Sequence, residues 1–142
     1  MNYNASSPDE LALTNAARFF GVTFKERDED GNVIVENSYT KKSSKFELLN
    51  IIEFNSARKR MSVIVKKPDG KIFIMTKGAD SIIIPRLVTG QDDLIDLTGE
   101  YLTDYANIGL RTLLLAEKEI DSGYYYEWEK RYTKALCAMS DR

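Results

Sequence analysis

The chain has 142 residues, of which 43% are hydrophobic and 30% charged, a composition that fits one globular domain over residues 1–142. Its formal net charge of −2 argues against a nucleic-acid binder, because such proteins carry a basic surface that meets phosphates. The chain has no histidine and one cysteine, which excludes Ser-His-Asp and Cys-His catalysis, an internal disulfide and most zinc sites.

The first predicted element is a helix from Ser7 to Phe20. Ser7 suits the N-cap, Pro8 the first helical position, and Glu10 completes a capping box. Gly21 can supply the left-handed residue that ends the helix. Leu11 is expected to be exposed, and the buried face is predicted to contain Ala12, Leu13, Ala16, Phe19 and Phe20.

The middle of the chain is rich in β-structure. Turn signals at Asp28–Gly31 and Lys67–Gly70 each lie between two strand patterns and predict hairpins. A loop at Thr40–Lys45 is expected to be mobile. The predicted strands are Val22–Arg27, Asn32–Asn37, a central Phe46–Phe54, Met61–Lys66, Lys71–Thr76 and a buried Leu110–Lys118.

Three further helices complete the prediction. One covers Asp80–Leu87, one is marked by apolar residues from Leu97 to Ile108, and the last by those from Tyr125 to Met139. Hairpins with helices grouped around them indicate an α+β domain with a twisted antiparallel β-sheet flanked by helices.

The stretch from Phe54 to Ser62 is the most informative for function. A large aromatic residue ends a predicted strand, and three cations, Arg58-Lys59-Arg60, follow it. An aromatic ring beside cations suits a nucleotide, since the ring stacks on the base and the cations meet phosphates. The alternative interpretation is that Phe54 is a core residue and the cations form a solvated turn.

Other charged positions allow two interpretations each. Lys77-Gly78 ends a predicted strand where a predicted helix begins. One interpretation is that the glycine lets an anion approach the backbone at the start of the helix. The other is that Lys77 is a solvated residue at the end of a strand. Arg111 is expected within a strand, as a phosphate ligand or in a buried ion pair. The acidic residues Asp28-Glu29-Asp30 and Asp92-Asp93 are interpreted as turn residues rather than metal ligands. No P-loop or Rossmann glycine pattern occurs in the sequence.

Four segments, in this order, resemble one family. They are SPDELAL at Ser7–Leu13, FNSARKRMSVI at Phe54–Ile64, TKGAD at Thr76–Asp80 and GLRTL at Gly109–Leu113. Together they are similar to segments of the nucleotide-binding domain of phospholipid-translocating P-type ATPases. Trp128, Tyr132, Ala135 and the terminal Asp141-Arg142 are also similar to that family.

The resemblance implies an ATP site. Glu10 would accept a hydrogen bond from the adenine amino group and Phe54 would stack on the ring. Lys77, with Gly78 beside it, would close the pocket floor. The other expected contacts are Ser56, Lys59 and Met61 along the pocket, Arg111 and Thr112 toward the phosphates, and Leu113 against the base.

The family's phosphorylated aspartate motif and its Mg²⁺-holding segments do not occur in this sequence. We therefore expect no catalytic or metal-binding residue here, and an inactive, monomeric fragment of a larger membrane enzyme. Its partners would be ATP and the phosphorylation and actuator domains of the parent, where Mg²⁺ would be held. The domain would lie in the cytosol, outside the membrane. The alternatives are the same domain of an ion or polyamine pump, or an interaction module that has lost nucleotide binding.

Overall fold

The computed structural model describes residues 7–140, with side chains up to residue 138. Four α-helices and six strands are found in this part of the chain. In order they are α1 (Pro8–Phe19), β1 (Val22–Arg27), β2 (Val33–Asn37), β3 (Ser43–Ile52), β4 (Arg60–Lys66), β5 (Ile72–Gly78), α2 (Asp80–Ile83), a 3-10 turn (Ile84–Arg86), α3 (Asp92–Asn107), β6 (Leu114–Ile120) and α4 (Ser122–Ser140).

The six strands lie in the sheet in their sequence order, from β1 to β6. The pairs β1–β2, β2–β3 and β5–β6 are antiparallel. Short connections join most neighbouring strands, which favours antiparallel pairing. The predicted α+β class with an antiparallel sheet is therefore confirmed.

The chain divides into two compact units. The first contains residues up to Leu49 together with Val65–Lys71, and the second contains Asn50–Ile64 together with the chain from Ile72 onward. Each unit is described by itself below. The single domain over residues 1–142 stays a prediction.

In the first unit, α1 begins and ends as predicted. Ser7 Oγ accepts a hydrogen bond from the Glu10 N–H at 3.2 Å, and Gly21 adopts a φ of 91° after the last turn. The predicted buried face is wrong, because Phe19 and Phe20 are 81% and 73% exposed. The helix packs against β1, and its half-buried residues lie in the first two turns: Asp9, Glu10, Leu11, Leu13 and Thr14. The expected exposure of Leu11 is therefore wrong as well.

The turn between β1 and β2 is built around Asp28. Its carboxylate accepts hydrogen bonds from the Asn32 N–H at 2.8 Å and from Lys45 Nζ at 2.7 Å. The hydrogen bonds from Lys45 and Asn32 hold the pKa of Asp28 well below its ordinary value. Asp28 is thus a turn residue, as expected. Lys45 belongs to β3, so the loop predicted over Thr40–Lys45 ends at Lys42.

The second unit contains most of the buried apolar side chains. Ile64, Ile72 and Ile83 are no more than 3% exposed, and Tyr125 on α4 is 1% exposed. The Tyr125 hydroxyl donates a hydrogen bond to Asn50 Oδ1 at 2.7 Å. This bond satisfies the polar end of a buried ring.

Two predicted strands differ from the observed strands by three residues or more at one end. The strand predicted over Phe46–Phe54 ends at Ile52, so Phe54 lies in the following connection. The strand predicted over Leu110–Lys118 begins at Leu114 and is not buried, since Leu115 is 69% exposed. β6 is the last strand in the sheet order, and such an edge strand has a neighbour on one side only.

Within residues 7–140, no helix has the length and apolar character that crossing a bilayer requires.

The Tyr125 hydrogen bond gives a direct test of the packing of α4. Replacing Tyr125 by Phe keeps the ring but leaves Asn50 Oδ1 without this donor. We expect the free energy of unfolding to fall by about 1–2 kcal/mol in urea denaturation. The control is Tyr126→Phe on the same helix, where the side chain is 47% exposed, and it should change stability by less than about 0.5 kcal/mol. Equal effects of the two substitutions would contradict the role of the bond.

Candidate functional site

Two contacts define how β4 and β5 face each other. Ser62 Oγ lies 2.8 Å from Thr76 Oγ1. Two residues further along, a side chain added at Gly78 would meet Cβ of Arg60 at 2.8 Å. Both contacts fit one antiparallel register, in which Met61 lies opposite Lys77.

β6 continues this register on the other side of β5. Lys77 is paired with Leu115 and Gly78 with Leu114. Residues that lie opposite each other in paired strands point to the same face of a sheet. Met61, Lys77 and Leu115 therefore form one row across the three strands.

A second row lies at the end of the same face. The Ala79 N–H donates to the Lys59 carbonyl oxygen at 3.4 Å, which places Lys59 one row beyond Met61. Leu113 directly precedes β6 and continues the alternation that begins with Leu115. We call this surface the Lys77 face; it is formed by Met61, Lys77 and Leu115, with Lys59 and Leu113 next to it at the ends of β4 and β6.

Phe54 and Ser56 lie in the connection between β3 and β4, which leads to Lys59. The Asn55 carbonyl oxygen accepts from the Lys59 N–H at 2.8 Å, and Asn55 Oδ1 accepts from the Arg58 N–H at 2.8 Å. These bonds close a tight turn in which Lys59 has a φ of 53°. Phe54 immediately precedes the turn and is 61% exposed. Phe54 is therefore not a core residue, which was the alternative interpretation. Ser56 is exposed within the turn.

Gly78 is required by close packing of the backbone. A Cβ at this position would lie 2.8 Å from the Lys59 carbonyl oxygen as well as from the Arg60 side chain. The glycine therefore lets the ends of β4 and β5 lie close together. The helix that follows, α2, has four residues, so it offers too short a dipole for an anion site.

Arg111 and Thr112 lie in an irregular segment, not in the predicted strand, and both are exposed. The exposure of Arg111 excludes a buried ion pair. Gly109 explains the segment, because it has a φ of 77°. The Gly109 N–H donates to the carbonyl oxygen of Ala106, and the Leu110 N–H donates to the carbonyl oxygen of Tyr105. This Schellman pattern ends α3 and turns the chain toward β6.

Glu10 belongs to the first unit, whereas the other nine predicted site residues belong to the second. Its backbone is held in α1 by hydrogen bonds to Ser7 and Thr14. Its participation in a common site with the Lys77 face stays a prediction.

Two residues of this region were not predicted from the sequence as part of the site. Asn55 closes the turn that positions Lys59, and Leu115 is the most exposed apolar side chain of β6 at 69%. The spacing of Leu115 two residues after Leu113 could have indicated a shared face. The side-chain bond of Asn55 has no comparable signal, since asparagine is common in all turns.

The described residues contain no group of three or more Asp, Glu or Cys side chains placed to hold a metal ion. The Lys77 face is instead cationic and apolar, beside an exposed aromatic ring. Such a surface can bind a flat ring together with negative charge.

Comparison with known proteins identifies the family. The family model of the P-type ATPase cytoplasmic domain N matches residues 4–141. The chain belongs to this family. It is 45% identical over 140 residues to human phospholipid-transporting ATPase ID, covering 99% of this chain and 11% of that protein.

Two further relatives show the same pattern. Phospholipid-transporting ATPase 10 of Arabidopsis thaliana is 42% identical over 144 residues, covering 99% of this chain and 12% of the relative. Phospholipid-transporting ATPase DRS2 of Saccharomyces cerevisiae is 42% identical over 142 residues, covering 100% of this chain and 10% of the relative. The chain thus spans about a tenth of the length of these relatives.

The packing at Gly78 predicts a large effect of a small change. Gly78→Ala should lower the free energy of unfolding by about 1–3 kcal/mol, because the new methyl group meets the backbone of the neighbouring strand. Gly99→Ala is the matched control: Gly99 lies inside α3 with nothing within 4 Å of an added Cβ, so it should raise stability by about 0.5–1 kcal/mol. Urea denaturation of both variants tests this, and a stabilising Gly78→Ala would refute the close approach.

Proposed function

We propose that this N domain binds ATP for a phospholipid-translocating P-type ATPase and presents it to a phosphorylation domain outside this chain. The observation that supports the proposal is the Lys77 face, where Met61 and Lys77 share one side of the sheet, with Lys59 and Leu113 at the ends of the strands. The exposed side chain of Phe54 precedes the turn that leads to Lys59. The proposal for lipid as the transported substrate rests on the relatives, which are phospholipid-transporting ATPases.

The chemistry of the face suits an adenine nucleotide. The ring of Phe54 can stack on a base, since stacking needs one free aromatic face. Met61 and Leu113 offer apolar contact, and a thioether adapts to an aromatic edge. The ammonium groups of Lys59 and Lys77 can approach the base or the first phosphate. Glu10 would complete recognition by accepting from the adenine amino group.

Arg111 and Thr112 are proposed to contact the phosphates. They lie in the exposed segment that leads into β6, directly before Leu113. Guanidinium groups bind phosphate oxygens through charge-assisted hydrogen bonds. No glycine-rich loop encloses the phosphates, which leaves the terminal phosphate accessible to an aspartate on another domain.

Mg²⁺ is proposed to be held by the phosphorylation domain. Phosphoryl transfer needs a metal ion and a positioned nucleophile, and the described residues supply no suitable carboxylate cluster. The domain by itself therefore binds ATP without cleaving it, and the ATPase activity belongs to the whole enzyme. ATP and the phosphorylation and actuator domains would be its partners, at the cytosolic side of the membrane.

The stacking role of Phe54 can be tested by substitution. Phe54→Ala should weaken ATP binding by roughly 1–3 kcal/mol in calorimetric titration, and Phe54→Trp should retain most of it. The control is Tyr124→Ala, which removes an aromatic ring of similar exposure, 63%, from α4. Unchanged affinity of Phe54→Ala, with a native circular dichroism spectrum, would show that the ring does not stack on the base.

A site that mainly contacts the base also predicts how the affinity depends on the number of phosphates. ATP, ADP and AMP should bind with affinities within about tenfold, roughly 1.4 kcal/mol, and Mg²⁺ should change them little. Overall binding should be weak, because few charged contacts leave little free energy after ordering costs. Titrations with and without Mg²⁺ test this, and the same samples should release no phosphate. An affinity for ATP a hundredfold above that for AMP would identify the phosphates as the anchor.

A further inference from the structure

A groove lies on the face of β4, β5 and β6 opposite the Lys77 face. It has a volume of about 1150 Å³ and is bounded by the sheet on one side and by the chain from α2 to α3 on the other. This exceeds the usual range of small-molecule pockets, about 300–1,000 Å³. Its lining contains about as many polar or charged residues as aliphatic ones, and the aliphatic residues include Ile74, Ile83, Leu87, Leu94, Ile95 and Leu114.

Three arginines line the groove: Arg58, Arg60 and Arg86. Each donates from Nη1 to a backbone carbonyl oxygen, at 2.9 Å from Arg58 to Glu53, 3.0 Å from Arg60 to Arg58, and 2.7 Å from Arg86 to Ile82. These bonds hold the guanidinium groups in place and leave further N–H donors.

Arg60 lies close enough to Arg86 and Arg58 for their positive charges to act on it. Burial lowers the pKa of Arg60, and the positive charges of Arg86 and Arg58 lower it further. None of the three forms an ion pair with a carboxylate in the part of the chain that the structure describes. An anion bound among them would relieve this repulsion.

The other charged residues of the groove, Glu117, Lys118 and Glu119, lie on the edge strand β6. The hydroxyl and amide groups of the groove are bonded within the chain. Ser62 and Thr76 bond each other, the Thr98 hydroxyl donates to the Leu94 carbonyl at 2.7 Å, and Gln91 Nε2 donates to the Val88 carbonyl at 3.2 Å. A peptide in this groove would need partners for its own backbone polar groups. An alkyl chain needs none, so the lining favours a hydrocarbon.

We propose that this groove binds an amphiphile with a single alkyl chain and an anionic head, the head among the three arginines and the chain along the aliphatic walls. The head can be a carboxylate, as in a fatty acid, or a phosphate, as in a single-chain phospholipid. Both accept hydrogen bonds from guanidinium groups. This second site is separate from Met61 and Lys77, because the residues of β4 and β5 that line the groove alternate with them along the two strands. On the edge strand β6 the lining includes residues of both faces, so Leu115 borders both surfaces.

Titration calorimetry below the micelle concentration tests the ligand class. The probes share a twelve-carbon chain: dodecanoate, dodecyl phosphate, dodecyltrimethylammonium and a neutral dodecyl glycol ether. We expect both anions to bind at least about tenfold tighter than the other two. Shortening dodecanoate should weaken binding about fourfold for each methylene removed. Equal binding of the ammonium probe, or no dependence on chain length, would overturn the proposal. The ratio of the two anions distinguishes the fatty-acid source from the phospholipid source.

Substitutions locate the site. Arg60→Gln and Arg86→Gln should each weaken dodecanoate binding about tenfold with unchanged circular dichroism. The matched control is Arg131→Gln, an exposed arginine of α4, which should leave binding unchanged. If the arginine variants fail to fold, the four probes on the unaltered chain still decide the ligand class.

Saturating ATP separates this site from the proposed nucleotide site. Dodecanoate should bind equally well with and without ATP, whether or not ATP itself binds. Competition between them would overturn the proposal and assign the arginines to the phosphates. Preferential binding of an amphipathic helical peptide of leucine and glutamate would also overturn it, identifying a protein-docking groove.

Discussion

The register between β4 and β5 is the constraint on which the site depends. The buried Ser62 hydroxyl, 2% exposed, lies 2.8 Å from Thr76 Oγ1, and Gly78 lets the two strand ends approach. Side chains alternate between the faces of a sheet, so a shift of one residue would move Lys77 to the opposite face from Met61. A polar pair within an apolar sheet penalises such a shift, because each hydroxyl would lose its partner.

Two turns carry the remaining candidate residues to the same end of the sheet. The side chain of Asn55 closes the turn before β4, in which Lys59 has a left-handed conformation. Gly109 ends α3 and sends the chain toward β6 through Arg111. Both turns are held by local hydrogen bonds, so the exposed residues on them need no burial to keep their places. This suits a site that must admit and release a nucleotide.

The two faces of β4 to β6 differ in how their cations are arranged. Lys59 and Lys77 lie in successive rows beside apolar side chains, whereas Arg58, Arg60 and Arg86 converge at the groove. A lysine is a compact charge, while an arginine offers several donors to one anion. The alternation of residues along β4 is what separates the two cationic surfaces, since Lys59 and Arg60 are neighbours in sequence.

The sequence by itself determined the family, the α+β class, the helix caps at Ser7 and Gly21, and most strand positions, because capping, turn chemistry and alternation are local properties. It placed Phe54 and Arg111 in strands and the pair Phe19-Phe20 on a buried face, and the structure shows all four exposed. Only tertiary structure decided these points, since burial depends on which elements pack against each other. Tertiary structure also decided that Met61 and Lys77 share a face, because this depends on how β4 and β5 pair and cannot be read from the sequence of either strand alone.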